Sequence, residues 1–269
     1  MKYKSIELIG VSGSGKSFTE QELRKLTKNI FKIYNRREII IRFSSKVINL
    51  NLKDRLTLLY FYLINLFGGK KINQLKISKK SKVIKNYKFR LGNYFRKNYI
   101  ILCIKIFNKY SVKNKKFKKE IDYLIKNLKY IEKNQVLFWF YELCAAQYIF
   151  DNTKKENYIF LNDEGFIPKS QLFLYTKLNF EKIKKKVFKY LKHIQYPDLC
   201  LYLKKDKKEI YKVHKKRKKY NVEMYLNKKL QIDSLKLYKY AIKLLKNKTQ
   251  VIELKNNHRI TKKIIKFIV

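Results

Sequence analysis

The sequence predicts an α/β fold: a mostly parallel sheet with helices on both faces. Three observations carry this. A short apolar run at the N-terminus meets a glycine-rich turn that leads into a helical pattern. Further strand-length apolar runs alternate with longer helical stretches toward the C-terminus, the pattern of parallel strands joined by crossover helices. Finally, 46% hydrophobic and 15% aromatic residues in a chain of 269 are enough to bury a sizeable core and exclude a disordered chain.

The elements follow in order. Ser5 to Ile9, SIELI, reads as a buried strand. After the turn, Phe18, Leu23, Leu26 and Ile30 recur at helical spacing. RREIIIRF, Arg36 to Phe43, is expected to be a second strand because of its β-branched run. A large basic helical insertion is expected over about 46–155 within a single domain spanning 1–269. Its most apolar part, Val136 to Phe150, contains Glu142, is too short to span a bilayer and reads as a buried helix with Trp139 in the core. YIFLNDEGF, Tyr158 to Phe166, is a strand running into a turn, and DLCLYL, Asp198 to Leu203, is another strand. Asp206 and Glu209 have the spacing of a capping box. Glu223 to Leu245 should form a long helix, Thr249 to Leu254 a last strand and Ile260 to Ile268 a closing helix.

Charge narrows the partners. Lys and Arg number 66 against 20 Asp and Glu, a formal net charge of +46, and no acidic residue stands between Asp54 and Glu120. Tyr87, Phe89, Tyr94, Phe95 and Tyr99 interleave with the cations of that block. Such an excess suits phosphate-bearing molecules or an anionic membrane surface. Cys103, Cys144 and Cys200 are far apart and pair with no nearby histidine, which points to reduced thiols rather than disulfides or zinc. With no signal-peptide pattern at the start, the expected location is cytoplasmic, with peripheral attachment to a membrane as a further candidate.

The chemistry concentrates in GVSGSGKS. Gly10, Gly15, Lys16 and Ser17 satisfy G-x-x-x-x-G-K-[S/T] in a chain with only 7 glycines. Backbone N–H groups can wrap a nucleotide's terminal phosphates only where side chains are absent, and the following helix points its positive end at the same place. Gly10, Ser12, Gly13, Ser14, Gly15, Lys16, Ser17 and Phe18 are therefore the candidate ATP-binding residues. Lys16 is suited to reach the β- and γ-phosphates and Ser17 to bind Mg²⁺. Asp163 and Glu164, after the Tyr158 strand, are candidates to hold Mg²⁺ (Asp163 the better) or to accept a proton from a substrate hydroxyl. Arg217 is a candidate lid arginine, since a planar guanidinium can grip phosphate with two hydrogen bonds. Arg42, placed at the end of the expected second strand, is a weaker substrate candidate. His193, His214 and His258 are isolated and read as surface or packing residues.

SIELIGVSGSGKS, together with PDLCLYLKKDKKEIYKVHKKRKK (Pro197 to Lys219), resembles the P-loop kinases of nucleosides, nucleotides and small metabolites, especially the thymidylate-kinase-like group. The likeness covers the first 45 residues and Tyr158 onward, not the helical middle. It implies a P-loop NTPase core in which Lys16 and Ser17 take the phosphate and metal roles, Arg217 matches the lid arginine, and Asp163 and Glu164 stand at the acidic strand end. The group's Arg-x-Pro-Gly-like element and its Asp-Arg pair are missing, which leaves the acceptor open. The expected activity is transfer of the γ-phosphate of Mg·ATP to a hydroxyl or phosphate acceptor: a nucleoside or nucleotide, a sugar or a lipid-linked saccharide, the basic middle favouring an anionic one. The alternative is a nucleic-acid-binding P-loop NTPase in which aromatics of the acid-free block stack on bases. A module that binds nucleotide without chemistry is disfavoured by the presence of Lys16, Ser17 and Asp163 together.

Overall fold

The computed structural model describes residues 4–67, 87–129, 131–154, 156–204, 206, 208–209, 228–254 and 265. Contacts divide the chain into two compact units: Met1–Asn35 with Asn114–Glu132 and Asn157–Val269, and Arg36–Lys113 with Lys133–Glu156. The helical stretch expected over about 46–155 is shared between them, Asn114–Glu132 belonging to the first.

The first unit holds a five-stranded sheet of β1 (Ser5–Ile9), β2 (Lys32–Tyr34), β3 (Tyr158–Asn162), β4 (Leu199–Leu203) and β5 (Gln250–Leu254). Their order is β2-β3-β1-β4-β5 and every neighbouring pair is parallel, so all carboxyl ends lie along one edge. The runs of β1, β3 and β4 are buried on both faces, whereas the edge strands β2 and β5 are partly exposed. Ile6 and Leu8 of β1 join Leu161, Leu199 and Leu201 in one core cluster with Leu23 of α1 (Lys16–Thr27). Alternation then turns Glu7, with its register partners Asn162 and Cys200, to the opposite face. The step from β1 to β2 crosses the sheet in the opposite direction from the steps β3 to β4 and β4 to β5. Right-handed crossovers therefore put α1 on one face and the helices that link β3 to β4 and β4 to β5 on the other, with β1 at the switch point, while Ile265, after β5, joins the core cluster on the α1 face.

Asp198 fixes the start of the central pair. Its Oδ2 accepts from the backbone N–H groups of Lys4 and Ser5, both at 2.8 Å, and its own N–H donates to Ser5 Oγ at 2.9 Å.

The second unit is helical: α2 (Arg36–Val47), α3 (Leu52–Phe67), α4 (Tyr87–Lys113) and, after α5 (Lys115–Asn127) of the first unit, α6 (Lys133–Asn152). RREIIIRF is thus helix α2, not the expected strand, and the second strand is the three-residue KIY before it. The β-branched run is overridden by packing: α2 lies against α6 and buries Ile39, Ile40, Ile41, Phe43 and Ser44. α6 buries Glu142 as an ion pair rather than leaving it bare. Arg37 Nε donates to Glu142 Oε1 at 2.9 Å, the Tyr99 hydroxyl donates to the same oxygen at 3.1 Å, and Arg36 lies 3.9 Å from Oε2. Burial alone would push this carboxyl up, but the two guanidiniums and the two hydrogen bonds outweigh it and hold it below its ordinary value. Trp139, expected in the core, is half-buried. Among the described residues no helix is long and apolar enough to cross a membrane.

Candidate functional site

The glycine-rich loop leaves the end of β1 and enters α1. Gly13 and Gly15 have φ of 83° and 103°, a left-handed backbone that a side chain would strain. Gly10 is required by proximity: a Cβ there would overlap Ser14 Oγ and lie 3.0 Å from the Leu203 carbonyl oxygen at the end of β4. The loop closes through Ser14 N–H donating to Val11 O at 3.1 Å, and Thr19 N–H donates to Gly15 O at 2.9 Å.

Lys16 folds back on this loop. Its Nζ donates to Gly10 O at 2.8 Å and to Val11 O at 3.4 Å, so the ammonium is held by carbonyls that phosphate oxygens, as charged acceptors, can replace. The first turn of α1 contains no acidic residue, and its N-cap Gly15 offers no side-chain acceptor, so the helix start itself supplies no carboxylate to compete with an anion. Ser14 Oγ is buried and, among the described residues, has no hydrogen-bond partner.

The acidic turn is on the strand next to the loop. β3 pairs directly with β1, with Asn162 level with Glu7, so Asp163 follows at the same carboxyl edge from which the loop departs. Asp163 is half-buried and Glu164 exposed. Glu164 Oε2 accepts from Lys169 Nζ at 3.0 Å.

Glu7 holds this turn. Its Oε1 accepts from Ile167 N–H at 2.7 Å, at the start of the short helix α7 (Phe166–Lys169). Gly165 is pressed against the same carboxylate: a Cβ on it would collide with the Glu7 carboxyl carbon and would stand only 2.7 Å from Oε1. A second anchor comes from α8 (Phe180–Lys192), where the Tyr190 hydroxyl donates to Phe166 O at 2.9 Å. In α9 (Lys228–Leu245), the Tyr238 hydroxyl donates to Gln171 Oε1 at 3.0 Å. Burial, together with the charges of Glu164 and Glu7, raises the Tyr238 phenol well above its ordinary value, so it stays a neutral donor. Beside Glu7, Asn162 Oδ1 is buried without a hydrogen-bond partner among the described residues.

The sequence-predicted residues fall out as follows. Gly10, Ser12, Gly13, Ser14, Gly15, Lys16 and Ser17 share one loop and helix start, with Ser17 exposed in the first turn, and Asp163 and Glu164 follow the adjacent strand. Phe18 is 58% exposed on α1, and Leu26 and Ile30 are exposed too; the inward positions of the helix are Thr19, Leu23 and Thr27. Arg42 does not end a strand: it lies on α2 in the helical unit, exposed, 5.3 Å from the Tyr62 ring centroid. Arg217, Asp206's expected partner helix, His214, His258 and the closing helix lie outside the described residues, except that Asp206, Glu209 and Ile265 are themselves described. His193 caps the C-terminus of α8, its N–H donating to Tyr190 O at 3.1 Å. The three cysteines are buried and free.

Glu7, Asn162 and Lys169 escaped the sequence reading. For Glu7 a signal existed: one carboxylate inside an otherwise apolar strand that abuts the glycine turn. No protein-family model matches the chain, and no curated protein sequence matches it significantly.

Proposed function

We propose that this protein is an ATP-dependent phosphotransferase built on a P-loop core, passing the γ-phosphate of Mg·ATP to a small anionic acceptor. The observation that carries the reading is the loop of residues 10–17. It combines left-handed Gly13 and Gly15, a Gly10 with no room for a side chain, and a Lys16 ammonium held on the loop's own carbonyls. Its position at the carboxyl end of the switch-point strand of a parallel sheet also supports the reading.

The residues fit the groups the reaction needs. The start of α1, which has no side-chain cap, suits a triphosphate, and a buried Ser14 hydroxyl without a partner among the described residues suits an added acceptor. Mg²⁺ bound through phosphates needs only one or two protein oxygens, for which Ser17 and Asp163 are the candidates. When bound, the metal would neutralise charge developing on the phosphoryl oxygens. Lys16 exchanges its loop carbonyls for phosphate oxygens and carries the fixed positive charge of the site. Asp163 or Glu164 orients the acceptor hydroxyl and takes its proton. Glu7 and Gly165 hold the turn that bears them, so that its carboxylates meet the acceptor in one geometry.

Labelled ATP with Mg²⁺ against nucleosides, nucleotides, sugars and lipid extracts tests the reading. Wild type should label one class and Lys16→Ala should not; equal labelling by both, or none by wild type, would remove it.

A further inference from the structure

The outward face of α3 is a stripe of leucine. Leu52, Leu56, Leu59, Leu63 and Leu66 succeed one another at steps of four and three residues and are 42% to 73% exposed. The inward face is separate and complete: Asp54, Thr57, Leu58 and Phe61 are buried, and Lys105 of α4 pairs with Asp54 at 2.9 Å. Among the described residues the packing of α3 is carried by that inward face, and the leucines stand largely outside it. Scattered exposed leucines need no explanation, but five aligned on one helix do.

The borders of the stripe identify what covers it. On the α4 side Tyr60 stacks on Phe95 with centroids 4.3 Å apart, and Lys53 lies 5.4 Å from the ring of Tyr94, itself exposed. On the α2 side Arg42 lies 5.3 Å from the ring of Tyr62. Lys53, Arg55 and Arg42 are exposed, whereas the one acid of α3, Asp54, faces inward. An apolar strip edged by tyrosines and cations, with no exposed carboxylate on its helix, matches the layering of an anionic bilayer surface: acyl chains, interface, phosphate headgroups.

We infer that α3 is a docking face for an anionic membrane, lying in the plane of the headgroups with its five leucines dipped among the acyl chains. A second copy of this chain is the rival occupant, since steps of four and three are also those of a coiled-coil seam. Charge decides against it. The residues flanking the first turns of the seam, Lys53 and Arg55, are both cationic, and a chain of net charge +46 repels its copy while it is drawn to anionic lipid. The inference stands apart from the phosphotransferase reading, because vesicle binding requires no catalysis.

The test is co-sedimentation of the full chain with phosphatidylcholine vesicles, with and without phosphatidylserine, at low and raised salt. Wild type should bind only the phosphatidylserine vesicles, more weakly as salt rises. The Leu59→Gln/Leu63→Gln variant, whose substitutions are on the exposed face and should leave circular dichroism unchanged, should bind about tenfold less. Arg42→Ala/Lys53→Ala should weaken binding while leaving residual attachment through the leucines. Wild type that ignores anionic vesicles would overturn the inference. So would a leucine variant that binds as well as wild type, or a concentration-dependent dimer that the leucine substitutions dissolve.

Discussion

Gly165→Ala isolates the contact that fixes the acidic turn. Gly165 has φ −73° and ψ −158°, which alanine adopts readily, so backbone strain contributes nothing and any cost comes from the added methyl. That methyl would collide with the Glu7 carboxyl carbon, and even Oε1, the farthest of the three carboxyl atoms, would be 2.7 Å away where ordinary contact begins at 3.4 Å. Either the turn or the carboxylate must move by more than the 0.7 Å (3.4 − 2.7 Å) that Oε1 alone would require. Overpacking of this kind costs about 1–3 kcal/mol, and displacing the carboxylate from Ile167 N–H forfeits a charged hydrogen bond of about 1.5–3 kcal/mol. The single substitution should therefore cost about 3 kcal/mol in urea unfolding followed by circular dichroism. In a Glu7→Ala background the methyl enters vacated space, and its added cost should fall below about 0.5 kcal/mol, a coupling of about 2.5 kcal/mol between the two positions. Equal costs of Gly165→Ala in both backgrounds would show that Glu7 does not hold the turn.

Gly10→Ala should abolish stabilisation by Mg·ATP in a thermal-shift assay, because its methyl would overlap Ser14 Oγ and crowd Leu203 O where the loop must stay bare. Arg37→Met should cost about 3 kcal/mol at neutral pH by leaving the Glu142 carboxylate buried with a weakened partner set. The pH dependence follows from the depressed Glu142 value: its contribution is present above the unfolded carboxylate value and is lost as pH falls through the lower folded value. In Arg37→Met, burial takes over and raises that value, so the variant's deficit relative to wild type should shrink as the pH is lowered through the carboxylate range; a deficit independent of pH would contradict the assignment. Burial raises the thiols of Cys103, Cys144 and Cys200 well above their ordinary values, so a thiol reagent should label none of them in native protein and all three in denaturant; rapid native labelling would contradict it.

The strands that carry the site were legible because a parallel strand covered on both faces is written as an unbroken apolar run, as in SIELI, YIFLN and LCLYL. The glycine loop was legible because its backbone demands are local to eight residues. Arg36 to Phe43 was misread because a short β-branched run does not reveal whether it lies in a sheet or against a helix; its partner, α6, is about a hundred residues on, Arg37 meeting Glu142 across a separation of 105. The three-residue β2 is too short to leave a pattern. Glu7 was missed for the same reason of distance: the amide that it accepts from is 160 residues away, and only the sheet order brings the two together. Helical spacing in α1 correctly located the helix but not its buried face, which rests on two threonines and Leu23 rather than on Phe18 and Leu26.

If the loop of residues 10–17 is a phosphate cradle, a Mg·ATP titration of the full chain by calorimetry should reveal it. Wild type should show one saturable site, and unfolding should be harder by about 2.7 kcal/mol when free ligand is a hundredfold above the dissociation constant. Lys16→Ala, which removes the ammonium now resting on Gly10 and Val11, should show neither effect. No heat of binding in wild type, or binding unchanged by Lys16→Ala, would contradict the account.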